Sequence, residues 1–281
     1  MRTGTNSLER ALAILEMLER TPGGLRHGEI SRQLQMPKST CTYITERLAE
    51  RGYVVRDGHS GRYKIGLTTV ALAHGALREI GVRSIAEPAL YKLASDTGLS
   101  AGIGVLERGR VLIIDRVEGS EFVRDAVETA EGMALAAEMR RRKYRERQDR
   151  DIGRELPAHT TALGKVLLAH LPREEAAELL ARQELARQTK RSITSRAKLM
   201  RELDLVRKQG YAISDEEQSP GIRAIAAPIF GPAGTASAGV ALNGSVAEAA
   251  WRDADLLVER VKAAGREISR RARLQQTVRV Q

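Results

Sequence analysis

"LQMPKSTCTYITERLAERGYVVRDGHSGRYKIG", Leu34 to Gly66, decides how the N-terminal part of this chain is read. A proline, a lysine and three small hydroxyl residues head a short helical pattern, and a hairpin rich in arginine follows at once. Cys41, Ile44 and Leu48 recur at three and four residues, the spacing of one helix face, and are predicted to point inward. Ser39, Thr42, Tyr43, Glu46 and Arg47 then point outward. Pro37 suits the first helical position, where a missing N–H costs nothing and φ is already set. The pattern runs to about Glu50 and stops near Gly52. "YVVRD" and "RYKIG" read as two strands around a polar turn, Gly58 to Gly61.

Upstream, Asn6 is placed to cap a helix in which Glu9 reaches back as a capping box. Leu8, Leu12, Leu15 and Leu18 are expected along its inner face, and "TPGG" ends it. His27 to Leu34 reads as a second short helix with Ile30 and Leu34 inside, and Gln35-Met36 as a tight break. Two short helices across a tight turn make a helix-turn-helix, whose second helix enters the major groove of DNA. The expected DNA contacts are Lys38, Ser39, Thr40, Thr42, Tyr43 and Arg47, donors suited to phosphates and base edges. The helix N-terminus adds backbone donors and a positive end. The hairpin would be a wing, bringing Arg62 to the DNA together with Arg56 and Lys64. A small bundle with a solvated face explains the helical spacing. It does not explain the proline start, the basic hairpin and the positive charge together.

The bulk numbers agree. The 281 residues carry a net charge of +10, which favours a polyanionic partner. Aromatic residues are 3%, too few for a single-strand binder built on stacking platforms. Cys41 is the one cysteine, so no disulfide framework or thiolate cluster forms within one chain, and a reducing, cytoplasmic setting is expected. No apolar run is long enough to span a membrane. The first residues, with Glu9 and Glu16 among the apolar ones, read as an amphipathic helix and not a signal peptide.

Beyond the hairpin, a helical pattern from about Leu67 to Thr97, bent near Gly81 and Pro88, reads as a linker. "SAGIGVLE" and "VLIIDRVE" are strands, helices follow at about Thr161 to Leu171, in "REEAAELLARQ" and in "RAKLMRELDLVRKQG", and "YAIS", "IRAIAAPIF" and "ASAGVALN" are strands again. A closing helix runs from Trp251 to about Leu274. Strands at both ends with helices between predict an α+β domain around a mainly antiparallel sheet. The expected organisation is a DNA-binding domain over 1–75, a linker helix region over 76–98 and a second domain over 99–275.

No catalytic chemistry emerges. "GLSAG", Gly98 to Gly102, matches a nucleophile elbow, but here a helix precedes Ser100 and a strand follows, the reverse of what the elbow needs. "GIGVLERG" lacks the third glycine and the helix of a dinucleotide loop. His159 lies near Asp215, Glu216 and Glu217 only by hypothesis, and the histidines show no metal-ligand spacing. No enzyme activity, metal or cofactor is expected.

In "AHTTALGKVLL", Thr160 or Thr161 can cap a helix whose first turn is small, leaving backbone N–H groups open to a carboxylate. Close helix packing through Ala162 and Gly164 is the equal alternative on these residues alone.

The segments "LERALAILEML", "EISRQLQMPKSTCTYITERLAERGYVVRD" and "GRYKIG" resemble the winged helix of IclR-family transcriptional regulators. "LPAHTTALGKVLLAHLP" resembles that family's effector-site signature, and "TKRSIT" through "GIRAIAAPIF" its downstream block. The resemblance covers nearly the whole chain. It implies a homodimer or homotetramer on an inverted-repeat operator in double-stranded DNA, with a GAF/PAS-like effector-binding domain that takes a small organic acid and controls a metabolic operon. Carried over, the effector positions are Ala162, Leu163, Ser214, Asp215, Ala224, Ala241 and Asn243. One segment departs from the family pattern: a helix-forming insertion over 123–151. Within it, Arg140 to Arg150 holds seven basic residues against two acidic ones, a net +5. A solvated surface helix or a mobile insertion is the favoured reading; a second contact to the DNA backbone or a subunit arm is the other.

Overall fold

The computed structural model describes residues 6–79, 81–119 and 152–279. The chain divides into two compact units, Met1–Ile80 and Gly81–Gln281. The basic insertion lies outside the described residues.

The first unit is a winged helix. Its elements are α1 (Ser7–Glu19), β1 (Leu25–Arg26), α2 (His27–Gln33), α3 (Lys38–Glu50), β2 (Val54–Arg56), β3 (Arg62–Ile65) and α4 (Thr68–Glu79). The Asn6 side chain accepts the Glu9 N–H at 2.8 Å and starts α1. Ile14 and Leu18 are its buried residues, with Ala11 and Leu15 packed beside them. Leu8 and Leu12 are exposed at 68% and 50%. The inner stripe is therefore rotated from the one expected, with Ala11, Ile14, Leu15 and Leu18 toward the core.

Between α2 and α3, Gln35 takes a left-handed φ of 50°. Ser31 holds the turn: its hydroxyl donates to the Met36 carbonyl at 2.7 Å and its own carbonyl accepts the Met36 N–H at 2.9 Å. Met36 drops into the core beside Cys41, Ile44, Ile30 and Leu34. Burial raises the Cys41 thiol pKa. Pro37 caps α3 from outside the first turn rather than opening it, because its ψ of 139° is extended. The wing sheet has the order β1-β3-β2, all antiparallel. The two-residue β1 is too short to read from sequence.

The second unit is built on a six-stranded sheet of order β6-β5-β4-β9-β8-β7, antiparallel throughout. Its strands are β4 (Ser100–Glu107), β5 (Arg110–Val117), β6 (Glu155–Pro157), β7 (Ala212–Asp215), β8 (Ile222–Phe230) and β9 (Ala236–Ser245). On one face lie α5 (Val82–Thr97) and α9 (Ala254–Arg279). On the other lies α6 (Ala162–His170), backed by α7 (Arg173–Ala181) and α8 (Arg196–Gln209). Pro88 sits inside α5 without ending it, and Ile85, Ala86, Leu90, Leu93 and Ala94 are buried. The expected 76–98 linker is thus shared out: α4 goes with the winged helix and α5 packs on the sheet. Gly265 lets α9 seat on β8, since a Cβ there would meet the Pro228 carbonyl oxygen at 2.7 Å.

Candidate nucleic-acid interface and effector site

On α3 the inward and outward sets separate as the spacing requires. Cys41, Ile44 and Thr45 are buried; Lys38, Ser39, Tyr43, Glu46 and Arg47 are exposed, and Thr40 and Thr42 half-exposed. No side chain caps the helix start, and the Pro37 carbonyl accepts the N–H of Cys41 at 2.9 Å. The N–H groups of Lys38, Ser39 and Thr40 precede the first intrahelical bond, so they have no acceptor within the helix. The Thr42 hydroxyl donates to the Lys38 carbonyl at 2.9 Å, leaving its lone pairs free to accept. Arg47 stacks over the Tyr43 ring at 5.5 Å and pairs with Glu50 at 2.7 Å. Both members of that pair are more than half exposed, so it yields easily to a stronger anion.

The wing cations are held differently. Arg62 donates to the Gly24 carbonyl at 2.7 Å and approaches Glu29 at 3.4 Å. The structure therefore turns Arg62 toward the body of the unit, pinning β3 to β1 and α2, and does not group it with the α3 set. Asp57 organises the wing turn: it accepts from the Ser60 N–H at 2.7 Å and the Ser60 hydroxyl at 2.8 Å. Those two bonds, with Lys64 nearby, lower its pKa to about 2.

In the second unit the capping residue is Thr161, whose Oγ1 accepts the Gly164 N–H at 3.1 Å. The N–H groups of Ala162 and Leu163 lie in the first turn, where no helix carbonyl reaches them. The chain doubles back tightly here. A Cβ on Gly164 would meet the Ala158 carbonyl oxygen at 2.2 Å. Leu163 lies on two glycines of the sheet, 3.3 Å from a Cβ at Gly104 and 2.9 Å from one at Gly239.

The strand register assembles the remaining positions. Ser214, Ala224, Asn243 and Ser100 are successive partners across β7, β8, β9 and β4. Ala212, Ala226, Ala241 and Gly102 form the next row on the same face. Ala162, Leu163, Ala226 and Ala241 share one apolar cluster with Ala224 at its margin, so this is the face that α6 covers. Ser214 is buried and donates to the Thr160 carbonyl at 2.7 Å. Asn243 is half-buried, and its amide makes no hydrogen bond to a described residue. Asp215 is not brought into this group. It pairs with Arg191, and with Arg223 at 2.7 Å, on the opposite side of β7.

Two polar clusters on this face escaped the sequence reading. Ser100 donates to Glu118 at 2.9 Å, and Glu118 in turn pairs with Arg116 at 3.0 Å. Arg116 lies across from Gly102 and Ser100 across from Asn243, so the cluster closes the end of both rows. The second is Lys165, 1% exposed within α6, which donates to Glu217 at 2.7 Å and Glu202 at 3.2 Å. Glu217 thus faces inward to a buried lysine, whereas its neighbour Asp215 pairs with arginines on the other side of the strand. Burial raises the Glu217 pKa against the opposing pull of Lys165, and the second Glu217 carboxylate oxygen has no hydrogen-bond partner among the described residues. The loop carrying it is sewn to the α6 approach: Ser192 donates to the Glu217 carbonyl at 2.8 Å, and Thr160 bonds the Gln218 side chain. A signal for Lys165 was present: "ALGKVLLAH" is apolar on all sides, so a lysine inside it must be buried and paired.

His159 is buried and bonds the Ala186 carbonyl at 3.0 Å, and burial lowers its pKa. Among the described residues no group of three or more histidine, cysteine or acidic side chains is placed to hold a metal. Ser100 sits between a helix and a strand, with its hydroxyl committed to Glu118. No described helix is long and apolar enough to cross a membrane.

Comparison with known proteins meets the geometry at both ends. The model of the IclR helix-turn-helix domain matches residues 7–58, and that of the bacterial transcriptional regulator IclR C-terminal domain matches residues 134–270. The chain is 31% identical to the HTH-type transcriptional regulator BhcR of Paracoccus denitrificans, covering 95% of this chain and 87% of that one. It is 31% identical to the HTH-type transcriptional regulator XynR of Escherichia coli, over 80% of each chain. Among solved structures, that of Thermotoga maritima IclR superposes with a TM-score of 0.69 at 28% identity, covering 96% of this chain and all of that one.

Proposed function

The chain belongs to the IclR family of transcriptional regulators, and from that premise we propose that it is a cytoplasmic homodimer controlling a metabolic operon. It reads one half-site of an inverted repeat with each α3 and senses a small organic acid on the α6 face of its sheet. The relatives are regulators and not enzymes, so the α6 face binds without turning over. The observation that carries the DNA assignment is α3 itself. Its exposed side holds Lys38, Ser39, Tyr43 and Arg47, and its N-terminus is left uncapped toward the same side. A phosphate fits the bare N–H groups, and the arginine–tyrosine stack reaches base edges.

For the effector, the free N–H groups of Ala162 and Leu163 suit a carboxylate, and the Asn243 amide supplies a polar contact. Ala224 and Ala241 flank that position with small side chains. Dimerisation is supported by apolar side chains left open on the first unit, Leu8 and Leu12 on α1, with Val70 (61%) and Leu72 (59%) on α4. The effector acts by its unequal affinity for the two arrangements of the dimer.

The test is a titration of operator DNA with single alanine variants of Lys38, Ser39, Thr40, Thr42, Tyr43 and Arg47. Arg47→Ala should cost about tenfold or more in affinity. Parent-like binding by all six variants would overturn the assignment. Asn243→Leu should keep operator affinity and abolish the thermal shift given by small organic acids.

A further inference from the structure

The second unit holds a cavity of about 670 Å³ away from the α6-face site. It opens at the C-terminal end of α6, by His170, whereas the effector positions cluster at Ala162 and Leu163. Along the helix those ends are about 12 Å apart. The cavity sits where β7 has ended: β7 pairs with β8 only as far as Ala226, and the next residues, Ala227, Pro228 and Phe230, form the floor. That sheet edge is already closed to another strand. Pro228 has no N–H, and the Phe230 N–H is taken by the Ser269 hydroxyl at 2.8 Å.

The walls are cationic. Arg207 comes from α8, and Lys262, Arg266, Arg270 and Arg273 come from one face of α9. Among the described residues, no acidic one lines the cavity. Glu259 reaches Lys262 at 3.1 Å and Arg266 at 4.0 Å, while Glu267 reaches Arg270 at 2.8 Å and Arg271 at 2.6 Å. Arg207 is fixed in place, with Nε donating to the Ala169 carbonyl at 2.5 Å and Nη2 to that of Leu171, and its Nη1 is left over. Burial lowers the His170 pKa, and its Nδ1 meets the Val166 carbonyl at 2.8 Å.

We propose that this cavity is a second ligand site, for an organic anion carrying two or more negative charges on an apolar body. Its size is that of a small-molecule site, and its apolar floor under convergent cations is the usual build of one. A duplex backbone would find the same cations, but it has no use for a concave floor of Phe230 and Pro228 and an exposed Leu274 at the rim. The family's effector face is not involved, so this proposal stands or falls apart from the α6-face reading.

The test is a fluorescence titration of the full-length protein with naphthalene disulfonate, with inorganic pyrophosphate as the anion lacking an apolar body. Saturable binding is expected, weakened about tenfold or more in the double variant Arg266→Gln/Arg273→Gln. Both side chains are exposed, so the variant folds, which a melting curve checks. Leu274→Ser should weaken the disulfonate and leave pyrophosphate unchanged. Binding unchanged by the double variant, or binding lost in Asn243→Leu, overturns the proposal. So does pyrophosphate binding as tight as the disulfonate. If the double variant lowers operator affinity or changes the assembly mass while the titration stays as in the parent, the cations serve DNA or a second copy, and the proposal fails.

Discussion

Two helices of this chain begin almost alike and end in opposite roles. α3 opens on "PKSTCT" and α6 on "HTTALGK", each with small hydroxyls and a lysine near its head. In α3 the lysine and most of the hydroxyls are exposed and no side chain caps the start. In α6 all residues from Ala162 to Ala169 are buried, Thr161 caps the start, and Lys165 is closed off against two carboxylates. What differs is the ring of residues around the polar ones. Where one face is apolar the helix lies on a surface with its N-terminus exposed. Where every face is apolar it is swallowed, N-terminus included.

The largest effect that sharpens this contrast should come from removing each lysine. Lys165→Met leaves Glu217 buried without its counter-charge, and should destabilise the protein by about 3–5 kcal/mol in denaturant unfolding. Lys38→Gln should stay within about 0.5 kcal/mol of the parent, yet make the salt dependence of operator binding shallower by about 0.9. Equal stability losses in the two variants would break the comparison.

Next comes Gly164→Ala. The added methyl meets a backbone carbonyl that cannot swing away, so a loss of about 1–3 kcal/mol is expected, together with the effector response. Thr161→Ala removes the cap and should cost about 1 kcal/mol, while Ser39→Ala on the uncapped helix should leave the melting temperature unchanged.

The smallest effect is a pH slope. The folded Glu217 pKa is raised above its ordinary value of 4.5, so the folded state holds that proton more tightly than the unfolded state. Stability from this group is fully present below 4.5 and is lost as pH rises through the raised value. Glu217→Gln should flatten that decline in melts followed upward from pH 4.5. A decline as steep as the parent's would place its origin elsewhere.

Much of α3 was legible because its faces follow from local spacing: Cys41, Ile44 and the outward Tyr43 and Arg47 fall where three-and-four counting puts them. α1 was half legible, since counting leucines picked Leu8 and Leu12 when Ile14 beside the small Ala11 governs the packing. The grouping of positions beneath α6 was legible only through resemblance. Ser100 and Asn243 meet because β4 pairs with β9 across most of the unit, and nothing local in either strand announces that pairing. The Arg116–Glu118 pair was hidden for the same reason. Asp215 was misplaced beside Ser214 because neighbouring strand residues face opposite ways.

Cys41 gives the experimenter something the rest of the chain does not. It is the sole thiol in 281 residues, fully shielded, with its sulfur 3.9 Å from the His27 carbonyl. A disulfide reagent reaches it only when the winged helix opens, so the labelling rate is a clock for that unit alone. Run with and without operator, or with a candidate metabolite, it reads how tightly the reading head is held without any introduced tag.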